Sequence, residues 1–284
     1  MKGLYPLVIL FIFLNVSLSE AQPYKSAKSY LDRGNGRFVK GDLDGAIADF
    51  GIAIKFEPGY TEAYYERGRA LLAKGDLDSA ISDFSRTIEI NPRFVLAYDA
   101  RANALLSKGD IDKAVADLDR AIEIEPRYAP AYLNRGSVRQ LKGDFIGAIS
   151  DFDHSIEINP RKAEAYNNRG AVRLRIGELD RAIADFDRAV ALNPRYHAAY
   201  NGRGSTRLEM GLLTEAIVDF NKAIEINPSD AWPYMNRGIA LELQGKTAEA
   251  QNDFQLCIKL NSQLKQVLED RRRQIKKKVS HLKS

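Results

Sequence analysis

The chain has 284 residues, of which 45% are hydrophobic and 28% are charged, and its formal net charge at pH 7 is +4. These values fit one large or two ordinary globular domains and do not choose between folds. Cys257 is the only cysteine, which excludes an internal disulfide, so the folded chain has to be stabilised by burial alone.

Residues 1–21 have the layout of a secretory signal peptide. Lys2 supplies a positive charge, an apolar run continues to Leu18, and the small residues Ser19 and Ala21 suit positions −3 and −1 of a cleavage site. The apolar run is short for a membrane span of roughly 20 residues. We therefore predict an exported protein, periplasmic or secreted, with an uncleaved membrane anchor as the alternative.

From Ala27 to Leu264 the sequence repeats with a period of 34 residues. Tyrosine occupies seven equivalent positions without a gap: Tyr30, Tyr64, Tyr98, Tyr132, Tyr166, Tyr200 and Tyr234. Arginine, glycine and alanine follow the same step, beginning at Arg33, Gly41 and Ala46. This regularity predicts seven copies of one structural unit.

Each unit is predicted to contain two amphipathic helices. The first carries Tyr30 and Gly34 and ends near Gly41, because glycine tolerates the positive φ common at helix ends. The second carries a buried stripe that includes Phe50, at the spacing of one helix face. Pro58 closes the unit, because proline disfavours a helical conformation in the residue before it.

Two recurring features have a packing explanation. The glycine at Gly34 costs about 1 kcal/mol of helix propensity relative to alanine, so we expect close approach of the paired helix to offset it. Ala102 replaces this glycine in the third repeat, which predicts a slightly wider hairpin there. The arginine series that begins at Arg33 is matched by an aspartate series that begins at Asp49. We predict that these residues form contacts between helices and do not bind a ligand.

The pattern resembles the tetratricopeptide repeat family, in its tyrosine, glycine, alanine, phenylalanine and closing proline positions. The resemblance implies an all-α fold, a right-handed α-α superhelix of seven helix-turn-helix repeats in which the first helix of each pair lines a concave groove. The predicted repeats are residues 27–60, 61–94, 95–128, 129–162, 163–196, 197–230 and 231–264, followed by a basic capping helix at residues 265–284.

The capping helix is predicted from a departure in the seventh repeat, where Ser262 replaces the closing proline. Without that proline, the chain can continue into a further helix. An apolar stripe is available for it: Leu264, Val267, Leu268, Ile275, Val279 and Leu282. We expect this helix to shield the open face of the last hairpin.

Binding residues are expected where the repeats differ, because stacking does not dictate those positions. On the first helices, which line the groove in the family, the candidates are Lys28, Asn35, Tyr65, Arg69, Asp99, Asn103, Asn167, Asn201 and Trp232. Met235 and Ile239 continue the series in the seventh repeat. Asparagine can bond a peptide backbone through both donor and acceptor groups. We predict a peptide or protein partner in the groove; the alternatives are a merely solvated groove and, for Trp232, packing at a helix start.

One ligand class within the family is excluded. Members that bind the acidic carboxyl terminus of chaperones use Lys, Asn, Asn, Lys and Arg across three repeats. The best matching window here contains Asp99, Asn103, Asn134, Glu164 and Asn168. Every cation of that pattern is missing.

The carboxyl-terminal segment is the second candidate for binding. Residues 265–284 hold eight Lys or Arg and two acidic residues, and the cluster comprises Arg271, Arg272, Arg273, Lys276, Lys277 and Lys278. Such a cluster can contact anionic lipid head groups or an acidic partner. The alternative function is therefore a peripheral membrane or envelope-associated protein; a solvated cap is the simpler interpretation, and an export signal argues against nucleic acid.

Enzymatic chemistry has little support in the sequence. His154, His197 and His281 are isolated, with no second histidine at metal spacing and no phosphate-binding loop. We predict a non-catalytic protein without a metal or cofactor.

Overall fold

The computed structural model describes residues 26–282, with side chains up to residue 274. In this range all regular structure is α-helical. The helices are α1 (Ala27–Val39), α2 (Leu43–Phe56), α3 (Thr61–Lys74), α4 (Leu77–Ile90), α5 (Val95–Lys108), α6 (Ile111–Ile124), α7 (Ala129–Lys142), α8 (Phe145–Ile158), α9 (Ala163–Arg175), α10 (Leu179–Leu192), α11 (His197–Glu209), α12 (Leu213–Ile226), α13 (Ala231–Leu243), α14 (Thr247–Leu260) and α15 (Leu264–Leu282). The predicted signal peptide at residues 1–21 lies outside the described residues.

The helices form two compact units, with α1–α6 in unit 1 and α7–α15 in unit 2. In both units each odd-numbered helix up to α13 packs against the next helix to make a hairpin, and each predicted repeat contains one such pair. The all-α class and the repeated helix-turn-helix unit are confirmed. Of the described helices, none has the length and apolar character needed to cross a membrane.

Glycine sets the turn inside every described hairpin, and in three of them an aspartate side chain also caps the second helix, at Asp42, Asp76 and Asp144. Gly75 ends α3 with φ of 87°, a left-handed conformation that side chains other than glycine rarely adopt. Asp76 then caps α4, and its carboxylate accepts a hydrogen bond from the Ser79 amide at 3.2 Å. The sequence therefore ends one helix and starts the next within three residues.

The two helices of a hairpin approach each other closely where a glycine on the first helix meets a phenylalanine on the second. A β-carbon on Gly34 would lie 2.6 Å from Cε1 of the buried Phe50, so the predicted packing role of this glycine is confirmed. In the third repeat, Ala102 and Leu118 stand at the two equivalent positions, and both are fully buried. Alanine is larger than the glycine that it replaces, and the leucine on the paired helix is smaller than the phenylalanine that it replaces.

The repeated arginine and aspartate join the two helices of each hairpin. Nε and Nη2 of Arg67 both donate to the carboxylate of Asp83 at 2.7 Å, and Asp83 is buried. The Arg67 guanidinium also lies 5.6 Å from the centroid of the Tyr64 ring, a cation-π contact. All seven repeats contain both contacts. The predicted structural role of the charged series is confirmed.

Several of these arginines also reach the preceding hairpin through Nη1. The acceptors are Ser85 for Arg101, Asp153 for Arg169, Asp187 for Arg203 and Asn221 for Arg237. In the hairpin before Arg67, the residue equivalent to Ser85 is Gly51, which has no side chain to accept the hydrogen bond. The repeated arginine therefore links the two helices of its own repeat and also links that repeat to the preceding one. The acceptor in the preceding repeat is a serine, an aspartate or an asparagine.

Helix α15 covers the end of unit 2, as predicted. Leu264 and Leu268 are buried in one apolar cluster with Met235 and Ile239 of α13. Val267 was predicted on the same stripe, but 41% of it is exposed. The helix uses the i, i+4 spacing of Leu264 and Leu268 for packing, and this turns the three residues between them, Val267 included, toward solvent.

Candidate functional site

The first helices of neighbouring repeats lie beside one another within each unit. Contacts join α1, α3 and α5 in unit 1, and α7, α9, α11 and α13 in unit 2. We call the surface that these helices present in a unit its first-helix face. The predicted groove residues all belong to these helices, although several are engaged in contacts within the protein.

In unit 1, polar residues of the first-helix face remain accessible. Lys28 is exposed and forms an ion pair of 3.8 Å with Asp32 on the same helix. Asn35, Asp99 and Asn103 are half-buried. These positions are compatible with contact to a bound segment.

Tyr65 and Arg69 form an aromatic and cationic patch on α3. The Arg69 guanidinium lies 5.2 Å from the ring centroid of Phe38 and 5.8 Å from that of Tyr65. The Tyr65 ring packs against Phe84 at 5.9 Å and Phe94 at 5.1 Å between centroids. Burial raises the pKa of the Tyr65 phenol above its ordinary value. Tyr65 is therefore largely a packing residue, and Arg69 is the more accessible of the two.

In unit 2, asparagines of adjacent first helices are held by hydrogen bonds. Nδ2 of Asn167 donates to Oδ1 of Asn168 at 3.1 Å, and Nδ2 of Asn168 donates to the hydroxyl of Ser137 on α7 at 3.4 Å. All three side chains are half-buried. The chain therefore fixes the orientation of these amides across two helices.

A second amide cluster connects α11 and α13. Nδ2 of Asn236 donates to Oδ1 of Asn201 at 3.0 Å and to the hydroxyl of Ser205 at 3.2 Å. Asn236 is 2% exposed, and its Oδ1 accepts no hydrogen bond from the part of the chain that the structure describes. The half-buried Asn201 is thereby oriented by a residue that the sequence analysis did not select.

The predicted series ends differently in the seventh repeat. Trp232 is 43% exposed, and its backbone amide donates to the capping residue Asp230 at 3.0 Å. Met235 and Ile239 were predicted to line the groove, but they are buried in the apolar cluster that includes Leu268 of α15. The capping helix therefore closes part of the first-helix face at the end of unit 2.

The described basic residues of α15 differ in their surroundings. Nε and Nη2 of Arg272 donate to the Glu242 carboxylate at 2.8 and 2.5 Å, and the Arg272 guanidinium lies 4.6 Å from the ring centroid of Phe254. Arg271 is half-buried, with its Nε fully buried. Both side chains therefore point into unit 2, and the predicted contact of this cluster with anionic lipid head groups or an acidic partner stays a prediction. Arg273 is exposed and pairs with Asp270; the predicted contacts of Lys276, Lys277 and Lys278 lie outside the described side chains.

Arg271 lines a cavity of about 650 Å³ inside unit 2. Its other lining residues come from α7, α9, α10, α11 and the turn after α9: Gln140, Ala171, Leu174, Arg175, Gly177, Leu179 and Glu209. The sequence analysis selected none of these seven. A signal was present, because Leu174 and Arg175 lie three and four residues beyond Ala171, on the same helix face, and vary between repeats.

The histidines do not assemble a metal site in the described part of the chain. His154 stacks on the Tyr132 ring at 5.1 Å between centroids, and His197 lies 3.4 Å from a carboxylate oxygen of Asp230. Among the described residues, no group of three or more His, Cys, Asp or Glu has the arrangement of a metal site.

The sequence matches family models of the tetratricopeptide repeat. The matched segments are residues 31–93, 102–143, 129–162, 163–196, 204–245 and 233–264. No curated protein matches the chain.

Solved structures share the fold. A tetratricopeptide repeat protein from Parabacteroides merdae superimposes with a TM-score of 0.67 at 21% identity, covering 86% of this chain and 96% of that one. YrrB, described as a TPR protein with an unusual peptide-binding site, has a TM-score of 0.52 at 24% identity and covers 65% and 94%. MamA protein has a TM-score of 0.52 at 27% identity and covers 60% and 93%.

Proposed function

Because the chain belongs to the tetratricopeptide repeat family, we propose that it is a non-catalytic scaffold that binds an extended segment of a partner protein on its first-helix face. The observation that carries this proposal is the pair of amide clusters in unit 2. Asn167 and Asn201 are half-buried and are oriented by hydrogen bonds with Asn168 and Asn236. A side-chain amide with one free donor or acceptor can bond a peptide backbone irrespective of the partner's side chains.

The amide clusters favour peptide recognition over a merely solvated face for an energetic reason. Binding costs less when the recognising side chains are already ordered, because fewer rotamers are lost on association. YrrB, which shares the fold, is described as having a peptide-binding site, and this gives a precedent for the proposal. The aromatic and cationic patch of Tyr65 and Arg69 offers a comparable contact in unit 1.

The experiment is a peptide selection followed by affinity measurements. Peptides selected from a random library on the immobilised chain are labelled, and their binding is measured by fluorescence anisotropy. We expect Asn201→Ala and Asn167→Ala each to weaken binding about tenfold, as lost hydrogen bonds of roughly 1 kcal/mol or more imply. Asn252→Ala is the matched control, because Asn252 is an exposed asparagine on the second helix α14.

Two outcomes contradict the proposal. In one, the library yields no peptide that binds saturably. In the other, Asn252→Ala weakens binding as much as Asn201→Ala, which would place the peptide on the second helices.

The alternative, a peripheral membrane protein that uses its basic carboxyl-terminal helix, gains no support from the described part of α15. Arg272 is paired with Glu242, and Arg271 faces the cavity of unit 2. We therefore give the first-helix face priority as the main contact.

We also propose that the protein is exported, on the basis of the amino-terminal pattern alone. The test is cell fractionation combined with amino-terminal sequencing of the mature protein. A mature chain that begins at Gln22 in a soluble exported fraction would support the proposal. Retention of residues 1–21 in a membrane fraction would favour the uncleaved anchor, and a cytoplasmic protein would contradict both.

A further inference from the structure

The cavity of unit 2 brings together residues that are distant in the sequence. Gln140, Arg175 and Glu209 belong to three consecutive first helices, and Arg271 reaches them from the capping helix α15. The volume of about 650 Å³ lies within the range of roughly 300–1,000 Å³ that is usual for ligand pockets. We call this cavity the arginine pocket.

The described lining of the arginine pocket contains more cationic than anionic side chains. Two guanidinium groups, those of Arg175 and Arg271, face one carboxylate, that of Glu209. Among the described residues Arg175 forms no salt bridge; its guanidinium lies 5.6 Å from the ring centroid of Phe145. The described side chains therefore give this pocket a cationic character.

Arg271 has an unused donor in this pocket. Its Nε is buried and has no hydrogen-bond partner among the described residues. Burial lowers the pKa of the Arg271 guanidinium from its ordinary value, while the charge of Glu209 raises it. A buried donor without a partner destabilises the protein, and this cost is removed when a ligand accepts the hydrogen bond.

The remaining wall of the pocket is apolar. Ala171 and Leu174 on α9 and Leu179 at the start of α10 supply aliphatic surface beside the two arginines. A ligand that fills the pocket therefore needs an anionic group and an adjacent apolar group.

We propose that the arginine pocket binds a carboxylate that a partner segment carries next to a branched aliphatic side chain. This inference rests on the proposed function, because the pocket adjoins the first helices on which the segment would lie. A guanidinium presents parallel donors that match the two oxygens of a carboxylate.

A carboxylate can come from an acidic side chain or from the end of a chain, and four small probes distinguish these sources. N-acetyl-leucine carries a terminal carboxylate, and N-acetyl-leucinamide is its neutral counterpart. N-acetyl-Leu-Glu-amide carries a side-chain carboxylate, and N-acetyl-Leu-Gln-amide is its neutral counterpart. The readout on the full chain is the ¹H–¹⁵Nε resonance of Arg271, followed by NMR during titration with each probe.

We expect at least one of the acidic probes to shift this resonance saturably, with an affinity at least tenfold higher than that of its neutral counterpart. Arg271→Gln and Arg175→Gln, which keep a polar side chain, should each reduce the affinity at least fivefold. Glu209→Gln should increase it severalfold, because it removes the competing negative charge; a merely structural role for these residues would not produce a gain. Arg161→Gln, a change of an exposed arginine in unit 2, is the control and should leave the affinity unchanged.

The proposal is overturned if neutral and acidic probes bind equally, or if Arg161→Gln weakens binding as much as Arg271→Gln. It is also overturned if inorganic phosphate shifts the Arg271 resonance with higher affinity than both carboxylates. Failure here is separable from failure of the proposed function: peptides whose binding depends on Asn201 but not on Arg271 would leave the scaffold role intact and remove only the carboxylate site.

Discussion

Gly136 lies so close to the ring of Phe152 that a β-carbon on residue 136 would fall 2.7 Å from Phe152 Cε1. Gly136→Ala should therefore destabilise unit 2, because overpacking costs about 1–3 kcal/mol and exceeds the roughly 1 kcal/mol that alanine gains in helix propensity. Urea unfolding followed by circular dichroism measures the change. Gly36→Ala is the control, because no atom lies within 4 Å of its β-position, and it should be neutral or stabilising.

The third repeat indicates a second substitution that should restore part of the stability lost in Gly136→Ala. Ala102 and Leu118 occupy the equivalent positions and are both fully buried. We expect Phe152→Leu to relieve part of the cost of Gly136→Ala, so that the double variant is about 1 kcal/mol more stable than the sum of the single changes implies. Strict additivity of the two changes would show that the ring is not the obstacle.

Arg67→Met should destabilise unit 1 more than the removal of both charged partners. Asp83 is buried and receives both of its side-chain hydrogen bonds from Arg67, so the single change leaves a buried carboxylate unpaired. We expect a loss of about 2 kcal/mol or more, discounted for the partial exposure of Arg67. Arg67→Met/Asp83→Leu should lose less in the same urea unfolding measurement. An equal or larger loss in the double variant would mean that the pair stabilises by its net attraction.

The orientation of the capping helix predicts different changes in stability for substitutions at two adjacent residues. Leu268 is 3% exposed in the cluster with Met235 and Ile239, whereas Val267 is exposed. Leu268→Ala should cost about 2–4 kcal/mol and should increase amide hydrogen exchange in α13 and α15. Val267→Ala should change stability by less than about 0.5 kcal/mol. Similar effects of both changes would contradict the observed orientation of α15.

Cys257 should be unreactive in the folded protein. Its side chain is buried in the cluster at the end of unit 2, and burial raises the pKa of the thiol, which keeps the nucleophilic thiolate scarce. At pH 8 we expect a thiol reagent such as 5,5′-dithiobis(2-nitrobenzoic acid) to react at least a hundredfold more slowly with the native protein than in urea. Leu268→Ala should accelerate the native reaction. Fast labelling of the native chain would show that this end of the unit opens readily.

The fold could be predicted because the residues that shape one repeat recur, with few exceptions, in all seven repeats. Gly75 and Asp76 end one helix and start the next through backbone conformation and capping alone, without help from distant residues. The Arg67–Asp83 contact was predictable for the same reason, since a pairing needed by every unit recurs in every unit.

The candidate site was less predictable because it depends on residues that do not recur. Burial of Met235 and Ile239 follows from where α15 folds back, and that contact depends on the tertiary structure. Arg271 resembles a solvent-exposed cation of a basic tail, and only the tertiary structure places it in the cavity with Arg175. Asn236 was missed because its role is to orient Asn201.

The arginines that donate hydrogen bonds to the preceding hairpin have a mechanical consequence. Arg203 donates a hydrogen bond to Asp187 of the preceding hairpin. Between the first and second hairpins, the residue equivalent to Asp187 is Gly51, which has no side chain to accept a hydrogen bond from Arg67. When a linear array is pulled or warmed, it comes apart first at its weakest coupling, since each repeat holds only its neighbours. The amino-terminal hairpin should therefore be the first to separate from its neighbour within unit 1.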